Sequence, residues 1–144
     1  MYCLEKENKI TVSFYKYLEI QDPIYLKNFI FDLFKKFEVF GRIYIANEGI
    51  NAQISILSSR FEEMKQSIFL RYPELKNMII NISLDNSRKS FLELKVKVRN
   101  KIVSDGIRDP FFNHHNTGKY LKSQEVNHMI LNKNVIIVDV RNSY

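Results

Sequence analysis

One cysteine, three prolines and four glycines are all that this chain of 144 residues holds of those types. A lone thiol, Cys3, excludes an intramolecular disulfide framework and a zinc ribbon, and fits a reducing compartment. So little glycine and proline excludes collagen-like or proline-rich linker character. No apolar run approaches the roughly 20 residues that span a bilayer. The opening Met1-Tyr2-Cys3-Leu4-Glu5-Lys6-Glu7 lacks the charged-then-apolar order of a secretion signal. The expectation is a soluble cytoplasmic protein with no membrane partner. What the chain does have is 45% apolar residues, including 11 Phe and 8 Tyr. That supports a buried core and excludes a disordered or low-complexity chain.

The formal charge of +6 and pI near 9.4 invite a nucleic-acid reading. A discount applies, because the chain is rich in Ile, Asn and Lys and holds only two alanines, Ala46 and Ala52. An AT-rich genome would produce that bias without selection for basicity. Where the charges sit matters more than their sum.

Residues 10–18 alternate Ile10, Val12 and Phe14 against Thr11 and Ser13, the pattern of a half-buried strand. Asp22-Pro23 reads as N-cap and first helical position, since proline loses nothing there and the aspartate accepts an orphan amide. Leu26, Ile30, Leu33 and Phe37 recur at helical spacing through 23–38, and Gly41 breaks that pattern. Strands are expected at 42–46, 50–57, 78–84 and 90–103, with Asn47-Glu48-Gly49 as a tight connection. Ser59-Arg60-Phe61-Glu62 fits a capping box opening a helix to about Tyr72, its Phe61, Met64, Ile68 and Phe69 facing a sheet. Strand-helix-strand-strand-helix-strand is the α+β split βαβ, or ferredoxin-like (acylphosphatase-like), arrangement, here with an extra strand. A flexible N-terminus over 1–9 precedes this domain, 10–104. Residues 105–122 read as a linker. A short helix capped by Ser123 follows, and then Val135–Val140, an apolar run of the kind buried in parallel sheets. Residues 123–144 thus read as the start of an unfinished α/β domain.

The fifth strand carries the sharpest chemical signal. Leu92, Leu94, Val96 and Val98 share one face, while Lys95, Lys97, Arg99 and Lys101 share the other. Two-residue steps in a strand are about 6.6–6.8 Å, close to the spacing of successive phosphates on an extended polynucleotide. Such a row can track a nucleic-acid backbone, and Arg88 and Lys89 extend it. The competing reading is an edge strand kept soluble by lysines. Asn47, Glu48 and Asn51 place polar groups at the turn, where turn chemistry competes with ligand or interdomain contacts. His114, His115 and His128 lack a completing ligand cluster, so no metal site is expected. Cys3 has no local activation for catalysis beyond Lys6. The connection after the first strand, Glu19-Ile20-Gln21-Asp22-Pro23, is acidic and has no glycine or arginine to cradle a phosphate, which argues against acylphosphatase activity.

Two segments, Ser13-Phe14-Tyr15-Lys16-Tyr17 and the run from Phe40-Gly41-Arg42 through Ala46-Asn47-Glu48-Gly49-Ile50-Asn51-Ala52-Gln53-Ile54-Ser55, resemble the N-terminal domain of the rhodanese-related tRNA uridine hydroxylases. Lys89-Ser90-Phe91, Lys95–Arg99, Ile102-Val103 and Asp105-Gly106-Ile107 add to the likeness. Asp139–Tyr144 resembles the first strand and turn of that family's rhodanese domain. The resemblance implies oxygen-dependent hydroxylation of the wobble uridine of tRNA to 5-hydroxyuridine, first step toward 5-carboxymethoxyuridine. Molecular oxygen is the implied co-substrate, the anticodon region of tRNA the implied partner, and the cofactor unknown. The family's cysteine belongs to the rhodanese domain; no residue here corresponds to it, so no catalytic residue is assigned in this chain. By the same resemblance Arg42, with Glu48 and Asn51, faces the substrate or the catalytic domain. The alternatives are a non-catalytic RNA-binding or interaction module, or a decayed gene product. They differ at the tail: a self-sufficient module buries Val135–Val140, and an enzyme piece leaves that run exposed, disordered or paired with another copy.

Overall fold

Period-two alternation is realised as strands β1 (Lys9–Tyr17), β2 (Phe40–Ala46), β3 (Gly49–Leu57), β4 (Ile79–Ser83) and β5 (Leu94–Val98). Helices α1 (Pro23–Lys36) and α2 (Ser58–Arg71) fall between them, and α3 (Ser123–Ile130) follows. The computed structural model describes residues 8–83, 91–104, 106–109, 111–113 and 116–139. The chain divides into two units, Met1–Pro110 and Phe111–Tyr144.

In the first unit, the strands form a sheet in the order β4-β1-β3-β2-β5. β3 lies antiparallel between β1 and β2, β4 pairs antiparallel with the far side of β1, and β5 runs parallel to β2. That is the ferredoxin-like order with one strand added at the β2 edge. The core is one-sided. Val12, Phe14, Ile43, Ile45, Ile50, Ala52, Ile54, Ile56 and Val96 share the face packed with Leu26, Ile30 and Phe34 of α1 and Phe61, Met64 and Ile68 of α2.

Local signals hold at α1 and shift elsewhere. Asp22 Oδ1 accepts the Tyr25 N–H at 2.9 Å, with Pro23 in the first helical position. Phe34 takes full burial where Leu33 was expected to, and Leu33 packs at the margin. Gly41 does not end the helix. The residue that leaves it is Glu38, at φ 54°, with Val39 N–H donating to Phe34 O at 2.9 Å and Glu38 N–H to Lys35 O at 3.1 Å, a Schellman ending. Arg60 holds that corner, pairing with Glu38 at 3.3 Å and donating to Lys36 O at 3.1 Å.

The expected capping box at Ser59 does not form. The helix starts at Ser58 after Leu57, two residues ahead of that expectation and without a side-chain cap, and the Ser58 N–H donates to Asn8 O at 2.9 Å. That bond satisfies the Ser58 amide, and Ser59, already inside the helix, is not at the cap position. In the second unit Ser123 is likewise not the cap. Lys122 is, its N–H donating to Glu125 Oε2 at 2.8 Å. That bond, with Lys119 second, holds the Glu125 carboxyl below its usual range. The 135–139 stretch forms no strand, and Ile136, Ile137 and Val138 are exposed. A parallel strand needs a hydrogen-bonded neighbour, and none pairs with it among the described residues. Val140 and the remainder of the motif lie outside them.

Gly41 and Gly49 are required by close backbone approach. A Cβ at Gly41 would stand 2.2 Å from Gln53 O, and one at Gly49 2.1 Å from Lys16 O, both at positive φ. Gly49→Ala is expected to lower the unfolding free energy by roughly 2–4 kcal/mol in urea denaturation. Gly118→Ala, with nothing within 4 Å of its Cβ, should change it by less than about 0.5 kcal/mol; equal effects would refute the assignment.

Candidate nucleic-acid interface

With the aliphatic side chains turned toward α1 and α2, the alternate positions of each strand face the other way, where neither helix lies. Strand register sorts them into rows. Ile79, Tyr15, Asn51, Tyr44 and Lys97 are successive partners across β4, β1, β3, β2 and β5. The adjacent row reads Asn81, Ser13, Gln53, Arg42, Lys95. Arg42 therefore stands beside Lys95, and Tyr44 beside Lys97, at the β2–β5 margin.

The expected file of four cations along one long strand is not kept. β5 spans Leu94–Val98 alone, so only Lys95 and Lys97 sit at strand pitch, opposite the buried Val96. Lys95 is paired with Glu93 at 2.5 Å, an exposed pair of small energetic value. Arg99 still donates its N–H to Ile45 O at 2.8 Å, and its guanidinium lies over the Tyr44 ring at 5.6 Å. Lys101 turns away, its Nζ donating to Ile107 O at 2.7 Å. Arg99, Lys101 and Arg108 line, with Tyr44 and Ile107, an open groove of about 740 Å³. Arg88 and Lys89 lie outside the described residues.

The cause of the turn is a backbone clamp. Glu48 Oε1 accepts the Ile102 N–H at 2.8 Å, and Asn51 Nδ2 donates to Ile102 O at 3.1 Å. Both main-chain groups of a residue that is 3% exposed are thereby satisfied by two side chains of the β2–β3 hairpin. Asn47 does the same for the chain leaving β1: its Nδ2 donates to Ile20 O at 3.1 Å, and its O accepts the Ile20 N–H at 2.8 Å. The three polar residues of this turn thus each hold a neighbouring backbone segment.

The Ile20 amide after β1 is taken by Asn47, and the arginine at that corner comes from α2. Arg71 donates to the Tyr25 hydroxyl at 2.8 Å, a bond that raises its pKa further. Burial raises the neighbouring Tyr72 phenol. Glu19, Asp22 and Glu74 line the same cleft. Among the described residues, no group of three His, Cys, Asp or Glu side chains could hold a metal ion. His114 and His115 lie outside those residues.

The sequence reading missed one compositional signal, because its fifth strand over 90–103 took in Glu93. None of the strand residues of β1 to β5 is Asp or Glu. A face built from such strands carries lysine and arginine with no acidic residue of its own.

Residues 10–102 match the UPF0176 acylphosphatase-like domain. The chain belongs to that family. Its curated relatives include the tRNA uridine(34) hydroxylase of Sodalis glossinidius (strain morsitans), 46% identical over 140 residues, covering 97% of this chain and 40% of that protein. Another, from Escherichia coli O127:H6 (strain E2348/69 / EPEC), is 46% identical over 140 residues with the same coverage. The protein of that name from Buchnera aphidicola subsp. Baizongia pistaciae (strain Bp) is 47% identical over 137 residues, 95% of this chain and 44% of that one. The chain thus spans less than half the length of these relatives. The solved structure of full-length HypF in the phosphate- and nucleotide-bound form aligns at a TM-score of 0.48 and 16% identity over 65% of this chain and 12% of that one, too loose a likeness to argue from. No helix among the described residues is long and apolar enough to cross a membrane.

The clamp on Ile102 is testable within this UPF0176 domain. Glu48→Ala should strip a buried amide of its acceptor, at a cost of about 1–3 kcal/mol, and speed exchange of the Ile102 amide with solvent. Unchanged exchange at Ile102 would show that Glu48 does not hold it.

Proposed function

We propose that this chain is the N-terminal part of an oxygen-dependent tRNA wobble-uridine hydroxylase, and that its first unit grips the anticodon region of tRNA. The observation that carries the second half is the acid-free sheet with Arg42, Lys95 and Lys97 gathered at its β2–β5 margin. Phosphate contacts by such cations supply affinity and orientation without reading sequence. Arg99, Lys101 and Arg108 around the groove continue the positive surface beyond β5. Arg88 and Lys89 belong to the same proposal on sequence alone.

Asn47, Glu48 and Asn51 serve this function indirectly, by fixing the chain that carries Arg99 and Lys101. The hydroxylation itself belongs to a rhodanese-type domain with its cysteine. The exposed run Ile136–Val138 supports that division, because an apolar segment open to water needs a partner sheet. Incubated alone with unmodified tRNA and oxygen, the chain should form no 5-hydroxyuridine detectable by nucleoside mass spectrometry.

Binding to an anticodon stem-loop at several salt concentrations tests the grip. Each lost phosphate contact should flatten the log–log salt slope by about one. The triple variant Lys95→Ala/Lys97→Ala/Arg99→Ala is therefore expected to bind more weakly and with a slope shallower by about two to three. A slope equal to that of the unsubstituted chain would sink the proposal.

A further inference from the structure

We infer that the helix-free face of the sheet is a stacking platform for unpaired bases of single-stranded RNA, with Tyr15 and Tyr44 supplying the ring faces and Gln53 a base-edge contact. The inference rests on the RNA reading above and adds what that reading leaves open, namely which part of the RNA meets the middle of the sheet.

A solvent-facing sheet surface is expected to alternate into polar residues. Thr11, Ser13, Gln53 and Asn81 obey this. Phe40, Tyr17 and Leu57 depart from it at strand ends, and three further exceptions share one row. Tyr15 is 39% exposed and Ile79 46%, and both share the Asn51 row with the half-buried Tyr44. Apolar and aromatic surface kept in water along the Asn51 row, with Phe40 two positions along β2 from Arg42, forms a contact surface.

Tyr15 and Tyr44 both pair with Asn51, so they stand two strand spacings apart, about 9.5 Å. That is too far for the rings to stack on each other and leaves each ring face to a separate base. Asn51, between them, spends its Nδ2 on Ile102 O, so its amide is held by the chain after β5 rather than offered to a base. Gln53, exposed and one row over between Ser13 and Arg42, offers an amide donor and acceptor to a base edge. Arg99 over Tyr44 adds a guanidinium plane that also stacks with bases.

Charge decides between RNA and a protein partner. The strands contribute Lys9, Arg42, Lys95 and Lys97 to this face, against one flanking carboxylate, Glu93, which pairs with Lys95. A protein surface complementary to that would have to be strongly acidic, whereas any RNA strand is. Duplex RNA hides its base faces and cannot use the rings, so the occupant is an unpaired segment.

The test compares a short oligouridine with a blunt RNA duplex of equal length, using the unsubstituted chain and Tyr15→Leu and Tyr15→Phe variants. The unsubstituted chain should bind the single strand more tightly than the duplex. Its Tyr15 ring proton resonances should shift upfield on adding oligouridine and stay in place with duplex. Tyr15→Leu should weaken oligouridine binding about 5- to 150-fold with an unchanged salt slope, and Tyr15→Phe should stay within about twofold. Equal affinity for duplex, unmoved Tyr15 ring signals, or full binding by Tyr15→Leu would each overturn the platform. The phosphate grip would survive those results if the salt slope still depended on Lys95, Lys97 and Arg99. Binding of neither RNA by the unsubstituted chain would remove the RNA reading itself, and the platform with it.

Discussion

Burial on one side only is the constraint from which the rest of this domain follows. Ile43, Ile45, Ile50, Ile54 and Ile56 are fully buried against α1 and α2. Because side chains alternate along a strand, that commitment determines which residues stand on the other face. A one-residue slip of β2 against β3 would bury Arg42 and expose Ile43. The register that protects the core is therefore also the register that aligns Tyr15, Asn51, Tyr44 and Lys97 in one row. Gly41 and Gly49 allow the backbones to come close enough for this pairing.

The added strand depends on a second, smaller device. β5 is short and joined to the rest by parallel pairing with β2 along Gly41–Ile45. Glu48 and Asn51 secure what comes after it by taking up both backbone groups of Ile102. Of the two roles open to the hairpin from sequence, the turn-chemistry one has its contacts in place, since Asn47, Glu48 and Asn51 each bond a neighbouring backbone segment. Of the cations on the neighbouring face, Lys95 is paired with Glu93.

Much of this was legible in the sequence where the pattern was long and periodic. The alternation in β1 and β3, the Asp22-Pro23 start of α1 and the buried stripe of α2 all follow from spacing. Failures came where tertiary contacts replaced local chemistry. Asn8 O took the Ser58 N–H of a helix that starts ahead of Ser59, and Glu38, held by Arg60, took the left-handed position three residues before Gly41. The lysine row was read as longer than β5 because sequence alternation continues past Val98, while the clamp on Ile102 bends the chain. Tyr44 and Tyr15 could not be placed together without the pairing register, since they lie 29 positions apart in sequence on strands that never touch. The acid-free composition of the strands emerges only with β5 starting at Leu94, since the expected strand over 90–103 includes Glu93.

The central claim is that RNA meets the helix-free face of the sheet. Ultraviolet cross-linking of an anticodon stem-loop to the chain, followed by mass-spectrometric mapping of the adducts, tests it most directly. The account predicts adducts on outward residues of β1, β2 and β5, with Tyr15, Tyr44 and Lys97 foremost. Adducts confined to α1 and α2, or their absence from the strands altogether, would contradict it.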